Sequence, residues 1–318
     1  MKGNEKKKIL IVAIVILCVL AVFSFTMVSS AEEVTVVGTW DISKDDGTSK
    51  VTAMLYSNGR FVISGTGEMK DYSGSNNSPY YNYKESIKTI EIQNGVTSIG
   101  GSTFYFCYSL TNIEIPNSIT SIGDKAFFYC EGLTKIEIPS SVTRIGKGTF
   151  AGCTSLRSIN VDKNNQKYTS EEGILFDREK TELIQYPAGR KEKEYKHPSG
   201  VISIGDYAFA TCKSLTNIEI PSSVTSIGDS AFHMCRSLTS IEIPSSVTSI
   251  GVSAFYECTS LTKIEIPSSV TRIGDWAFGD CTSLTDINIK NLESNIEFNT
   301  KWNNNGNAYV HYSDCVHN

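Results

Sequence analysis

The stretch LTKIEIPSSVTRIG occurs twice without a change, at residues 133–146 and 261–274. Near-copies surround it. Aligned on the leucine, copies start at Leu110, Leu133, Leu156, Leu215, Leu238, Leu261 and Leu284, and Ile87 opens an earlier one. The step is 23 residues except from Leu156 to Leu215, where it is 59 and implies an insert of 36. A period in this range marks stacked structural units, none of which can bury its apolar side alone.

With the leucine as position 0, apolar residues recur at positions 3, 5, 9, 12, 16, 17 and 20, with proline usually at 6 and glycine at 13. Thr134 to Ile138 alternates polar and β-branched apolar residues, the pattern of a half-buried strand. Pro139 ends it, having no N–H to donate. Val142 and Ile145 face inward again across a short extended piece, and Gly146 is expected to permit a tight turn. Asp124, Asp206, Asp229 and Asp275 follow that glycine, where an Asp side chain is expected to cap a single helical turn carrying Ala, Phe and Cys inward. Each repeat is then one coil, its strand about 4.8 Å from the equivalent strand of its neighbours in a parallel ladder. The two identical stretches are equivalent coils in equivalent surroundings.

The motif L-T-x-I-E-I-P-S-S-V-T-S-I-G-x-x-A-F-x-x-C, as at Leu215–Cys235 and Leu238–Cys258, resembles the leucine-rich repeat of the bacterial BspA-like surface proteins. The resemblance covers residues 87–289, and two flanking segments share it, Gly59–Tyr72 ahead of the array and Trp302–Tyr312 behind it. It implies an exported solenoid that binds other molecules, often as an adhesin or surface antigen. It implies no substrate and no catalytic residue.

The expected fold is therefore a β-rich, leucine-rich-repeat-like solenoid of about eight coils with a parallel strand ladder. Residues 32–86 form an N-terminal β cap with Trp40, Tyr56 and Phe61 available for its core, and residues 290–318 form a C-terminal cap, since open ladder ends invite aggregation. The insert, about 162–199, reads as strands at Gly173–Phe176 and Glu182–Pro187 joined by polar turns. Its charged run Arg190–Lys196 reads as a solvated turn or a protruding contact loop.

Lys6, Lys7 and Lys8 precede an apolar run from Ile9 to Phe23, with Ser29-Ser30-Ala31 after it. This reads as an export signal, expected either to be cleaved after Ala31 or to be retained as an N-terminal membrane anchor. The bulky Leu17 argues against a lipid on Cys18. No wall-sorting motif or hydrophobic tail precedes Asn318, so no C-terminal anchor is expected.

Cys107, Cys130, Cys153, Cys212, Cys235, Cys258 and Cys281 all fall at position 20 and form one column. Parallel stacking holds their Cβ atoms about 5 Å apart, beyond the usual disulfide range, so buried thiols are expected.

The formal charge of −5 carries no nucleic-acid signature. No catalytic motif, metal-ligand spacing or cofactor fingerprint is present. The tail His311-Tyr312-Ser313-Asp314-Cys315-Val316-His317 matches no standard zinc pattern. Position 4 carries Glu91, Glu114, Glu137, Glu219, Glu242 and Glu265, which alternation turns outward into an acidic stripe softened by Lys135 and Lys263. A uniform row offers no asymmetry to drive neighbouring carboxyl pKa values apart, so it suits a basic partner better than catalysis. Aromatic residues concentrate early, at Tyr72, Tyr80, Tyr81 and Tyr83, then Tyr105, Phe106, Tyr108, Phe128 and Tyr129; they close the cap or supply hot spots for contact. The expected function is non-enzymatic binding of a protein or glycan outside the cell, centred on the N-terminal third; the alternative is a structural envelope component acting through self-association.

Overall fold

The computed structural model describes residues 33–74, 78–298, 301–303 and 308–312. The signal segment and most of the His311–His317 cluster lie outside the described residues. Among the described residues no helix is long and apolar enough to cross a membrane.

The repeat becomes a solenoid with two strand ladders and a turn face. In the first ladder, Thr89–Ile92 pairs with Asn112–Glu114, Lys135–Ile138 with Ser158–Val161, and Lys263–Ile266 with Asp286–Ile289, all parallel and in register. Strand alternation buries the isoleucines at positions 3 and 5 and exposes the residues at 2 and 4. The second ladder is built from the Ser-Ile or Arg-Ile pair at positions 11 and 12, as where Ser203–Ile204 pairs with Ser226–Ile227.

Much of the repeated polar sequence bonds to the coil before. Thr Oγ1 at position 10 donates to the carbonyl 23 residues earlier, as Thr143 does to Thr120 at 3.2 Å and Thr248 to Thr225 at 3.2 Å. Ser Oγ at position 8 donates to the carbonyl 22 residues back, from Ser246 to Val224 at 2.6 Å and Ser269 to Val247 at 2.7 Å. The polar side chains at these positions thus tie each coil to the one before.

The turn face differs from the expected helical turn. Ala, Phe and Cys do face inward, but the backbone visits the left-handed region twice per coil, at positions 15 and 19. Lys125 (φ 55) and Tyr129 (φ 57) do so in one coil, Ser253 (φ 54) and Glu257 (φ 56) in another. The alternation aims successive N–H groups at the next coil: Phe232 N donates to Ala254 O and Phe255 N to Ala277 O, both at 2.7 Å. The aspartates cap nothing within their own coil. Asp206 Oδ1 accepts from Asp229 N and Asp229 Oδ1 from Val252 N, each at 2.8 Å, so the column staples coil to coil. The preceding glycine serves close approach rather than a left-handed turn, since a Cβ on Gly146 would sit 2.3 Å from Asp124 N.

All seven column cysteines are buried and free. Cys130, Cys153, Cys235, Cys258 and Cys281 direct Sγ to the position-17 carbonyl of the previous coil at 3.0 to 3.2 Å. Beside them runs a stack of rings, with Phe209, Phe232, Phe255 and Phe278 at centroid steps of 5.1, 5.0 and 5.4 Å.

The array holds nine coils rather than eight. The residues between Leu156 and Leu215 include a complete coil beginning at Glu192, with Pro198, Val201, Ile204, Gly205, Phe209 and Cys212 at their usual positions. Glu194–Lys196, read from the sequence as belonging to a charged turn, is its first-ladder strand and pairs with Asn217–Glu219. The coil is hard to see because Glu192, Tyr195 and His197 occupy the positions that elsewhere carry leucine and isoleucine. The irregular segment is correspondingly shorter. It starts where Asn165 replaces the position-9 valine, its amide donating to Pro139 O and Val142 O at 2.8 and 2.9 Å. Tyr168–Glu171, Ile174–Asp177 and Glu182–Gln185 follow as an antiparallel meander, whose last strand joins Ser203–Ile204 in parallel.

The N-terminal cap is a meander of Val36–Asp41, Lys50–Tyr56 and Arg60–Glu68. Its third strand templates both ladders: Arg60–Ile63 pairs with Thr89–Ile92, and Gly67 and Glu68 pair with Val96 and Ser98. Phe61 is fully buried and Trp40 partly so, but alternation gives the core Leu55 and leaves Tyr56 outside with Arg60 over its ring. At the other end Tyr309–Tyr312 continues the first ladder and Glu297–Phe298 the second.

Candidate functional site

The left-handed residues tip side chains at positions 15, 18, 19 and 21 out of the core onto the turn face. In the later coils these are mostly small or polar, with single large rings at Tyr207, Tyr256 and Trp276. In the first two they are Tyr105, Phe106, Tyr108, Phe128 and Tyr129, which make one continuous surface. Tyr105 packs on Phe106 at 4.4 Å and stacks on Phe128 at 4.8 Å; Phe106 stacks on Tyr108 at 5.4 Å and meets Tyr129 at 5.5 Å. Phe128 reaches Tyr207 of the Glu192 coil at 5.9 Å, and the Tyr129 hydroxyl lies 3.2 Å from Met234 Sδ. Phe128 is buried, whereas Tyr105, Phe106, Tyr108 and Tyr129 each keep some of the ring at the surface. Burial raises the hydroxyl pKa of Tyr105, Tyr108 and Tyr129, so all three stay neutral donors at physiological pH.

The cap completes this surface unevenly. Tyr81 extends it through Lys84, whose Nζ sits 4.0 Å from the Tyr81 centroid, 5.2 Å from Phe106 and 5.7 Å from Tyr108. Lys84 carries no signal in the sequence pattern; only the fold brings it among the rings. Tyr83 is exposed and stands apart, 5.5 Å from Trp40. Tyr80 is withdrawn from the candidate contacts. Its side chain is 1% exposed and its hydroxyl donates to Thr103 O at 2.8 Å, closing the open end of the turn-face ladder.

The carboxylates Glu114, Glu137, Glu219, Glu242 and Glu265 are exposed on one ladder face, with Glu91. Their counter-charges come from other places than expected: Arg60 lies 3.7 Å from Glu91, Lys196 2.7 Å from Glu219 and Lys290 3.5 Å from Glu265. Asn160 Nδ2 donates to Glu137 at 3.3 Å. The row is a solvated stripe, and the aromatic side chains that join its face come at its C-terminal end, where the exposed Tyr309 pairs with Asp286 and His311 with Asn288. Where the insert interrupts the second ladder, the edge amide of Ile145 donates to the Tyr168 hydroxyl at 2.8 Å, and a cleft of about 430 Å³ beside it holds the Lys147–Asp206 ion pair at 2.6 Å next to Glu182. Burial, then Asp177 and Asp206, push the Glu182 carboxyl pKa up. Among the described residues no group of three or more His, Cys, Asp or Glu side chains is placed to hold a metal ion.

Residues 76–195 and 188–306 match the BspA type leucine rich repeat region, in 6 copies. A leucine-rich repeat protein from Eubacterium ventriosum is similar at 26% identity and a TM-score of 0.52, over 88% of this chain and 97% of that one. A leucine rich cell surface protein from Faecalibacterium prausnitzii gives 23% identity and 0.60 over 87% and 96%. The pneumococcal vaccine antigen PcpA gives 18% and 0.56 over 80% and 89%. At these identities the latter two speak for the fold. No curated protein matches the sequence. The repeat match spans well over half of the sequence and coincides with the coils of the solenoid, and the chain belongs to the BspA-type leucine-rich repeat family.

Proposed function

We propose that the protein is an exported, surface-associated binding solenoid, non-enzymatic, whose contact with a protein partner is centred on the aromatic turn face of its first two coils. The observation that carries this reading is the continuous half-buried surface of Tyr81, Tyr105, Phe106, Tyr108 and Tyr129 with Lys84 among the rings. Large rigid rings supply contact area at low entropic cost and dominate binding hot spots, whereas the exposed ladder face of the coils offers Glu, Lys, Asn and Ser and gains the single ring of Tyr309 only at its C-terminal end. The basic and apolar N-terminal run that reads as an export signal, the repeat family, and the Faecalibacterium neighbour being described as a cell surface protein all support the location.

The test is surface plasmon resonance of the purified chain against host matrix proteins and a glycan panel, repeated with Tyr81→Ser/Tyr108→Ser and with Glu137→Ala/Glu242→Ala. At least a tenfold loss is expected from the tyrosine pair and little change from the glutamate pair. Each hot-spot truncation removes about 1 to 2 kcal/mol. The reverse ranking places the contact on the acidic stripe, and binding carried by glycans alone removes the protein partner. The structural alternative predicts concentration-dependent self-assembly in sedimentation and no saturable ligand.

A further inference from the structure

Four lysines are half-buried among the described residues: Lys70, Lys84, Lys125 and Lys180. Partial burial strips water from an ammonium, so an opposite charge usually accompanies it. Two of the four follow that rule, Lys70 meeting Asp45 at 2.5 Å and Lys180 meeting Glu171 at 2.9 Å. Among the described residues Lys84 and Lys125 pair with no carboxylate, and both stand on the aromatic turn face. Rings hold them instead: Lys84 lies over Tyr81, Phe106 and Tyr108, and Lys125 over Phe128 and Tyr207 at 5.5 and 5.2 Å from the centroids. A ring face attracts an ammonium without supplying the lone pairs that its three N–H donors can use.

The two cations bracket the ring cluster. From Lys84 the path runs 5.2 Å to Phe106, 6.5 Å on to Phe128 and 5.5 Å to Lys125. An extended peptide, at about 3.4 Å per residue, covers that path in about five residues. The carboxylates of the turn face are engaged elsewhere or stand off. Glu257 pairs with Arg236 and Asp280 accepts from the Tyr256 hydroxyl, while the exposed Glu85 and Glu131 act on Tyr108 from a distance.

We infer that the protein partner of this face presents a short, extended acidic segment: an apolar or aromatic side chain on the rings, flanked by two carboxylates no more than about five residues apart, one for each lysine. The inference rests on the turn face being the contact, and adds the charge and spacing of what docks there. Each carboxylate supplies the acceptors that the rings cannot. The glutamate row on the ladder repels the same segment, so charge selects the turn face over the ladder and fixes orientation more than raw affinity.

The experiment pans a phage-displayed library of random heptapeptides on the purified full chain and measures the enriched peptides, once synthesised, by fluorescence anisotropy. They should carry two Asp or Glu residues around an apolar or aromatic one, and bind several-fold more weakly when salt is raised from about 0.05 to about 0.5 M. Lys84→Gln/Lys125→Gln should weaken them at least tenfold. Lys84→Arg/Lys125→Arg keeps the charge, and arginine also sits on aromatic faces, so that pair should retain most of the affinity. Lys135→Gln/Lys263→Gln removes the same charge from the ladder and should change little. Circular dichroism checks that each variant is folded. The inference is overturned if the enriched peptides lack acidic residues, if the ladder pair weakens binding as much as the turn-face pair, or if the arginine pair binds no better than the glutamine pair. Neutral or basic peptides that lose binding in Tyr81→Ser/Tyr108→Ser would overturn it and leave the contact face standing, whereas no enrichment at all would overturn both.

Discussion

Phe255→Ala is the sharpest probe of the core. The ring is 0% exposed and lies between Phe232 at 5.0 Å and Phe278 at 5.4 Å, nearly parallel to both. Deleting a buried phenylalanine side chain costs about 3 to 5 kcal/mol, the larger values arising where the walls cannot collapse into the space. Here they cannot easily do so, because Phe232 N–Ala254 O and Phe255 N–Ala277 O, both 2.7 Å, fix the spacing of the coils on either side. The upper half of that range is therefore expected. Phe150 is equally buried but stacks on Phe127 at 5.7 Å with the column broken beyond it, so Phe150→Ala should cost about 1 kcal/mol less, the worth of one aromatic pair. Exposed Glu242→Ala should change stability by less than about 0.5 kcal/mol. Urea unfolding followed by circular dichroism gives all three, with an unchanged m-value as the check that the array still unfolds as one unit. Equal costs for Phe255→Ala and Glu242→Ala would refute the assignment of inside and outside.

The column thiols should be silent to a thiol reagent in the native protein and titrate as free groups after denaturation without reductant; recovery of column disulfides would contradict the Sγ–carbonyl geometry. Burial also raises the pKa of Cys107 and Cys153 to about 12, which keeps them unreactive. His197 should make the fold acid-sensitive. Its folded pKa of about 4 lies below the ordinary 6.5, so its stabilisation is complete above pH 6.5 and is lost as pH falls toward 4, by roughly 3 kcal/mol, a loss that His197→Ile should abolish in pH-dependent melts. Asp229→Ala removes the acceptor of Val252 N and should cost about 1 kcal/mol, with Asp229→Asn close to neutral; no difference between them would mean that the staple contributes nothing.

The coil was readable because a repeated environment writes the same residues again and again: strand, proline, buried isoleucines and the thiol column all follow from position in the repeat. What escaped was relational. Asp206 reads locally as a helix cap because its partner, Asp229 N, is a full coil away. The glycine reads as a turn residue because the backbone it approaches belongs to another repeat. The Glu192 coil hid because its leucine and isoleucine positions hold residues of another chemistry, although Pro198, Gly205 and Cys212 kept the register. Of the candidate contacts, the clustering of aromatics was legible, but not which rings face out. Tyr80 and Tyr81 are neighbours in sequence, yet one plugs the ladder and the other joins the surface.

That plug has a wider consequence. On the turn face the N–H groups of positions 15, 17 and 19 point toward the C-terminal end and the matching carbonyls point back, so the peptide dipoles add along the stack as they do along a helix axis. On this face the array begins with bare carbonyls and ends with bare amides, whereas on the ladders the bonds run the other way, as from Lys88 N to Gly59 O at the start and from Tyr309 N to Thr285 O at the finish. At the start of the turn face, donors must close it, and Tyr72 N takes Gly101 O while the Tyr80 hydroxyl takes Thr103 O. At the finish, acceptors must, and Lys301 O and Trp302 O receive Trp276 N and Phe278 N. On this face the two ends are chemically opposite sockets, so the caps cannot be exchanged, whereas a further coil in the middle has both of its faces matched. Such a chain can therefore lengthen only from within, and two neighbouring coils, LTNIEIPSSVTSIGDSAF and LTSIEIPSSVTSIGVSAF, are nearly interchangeable units of that kind.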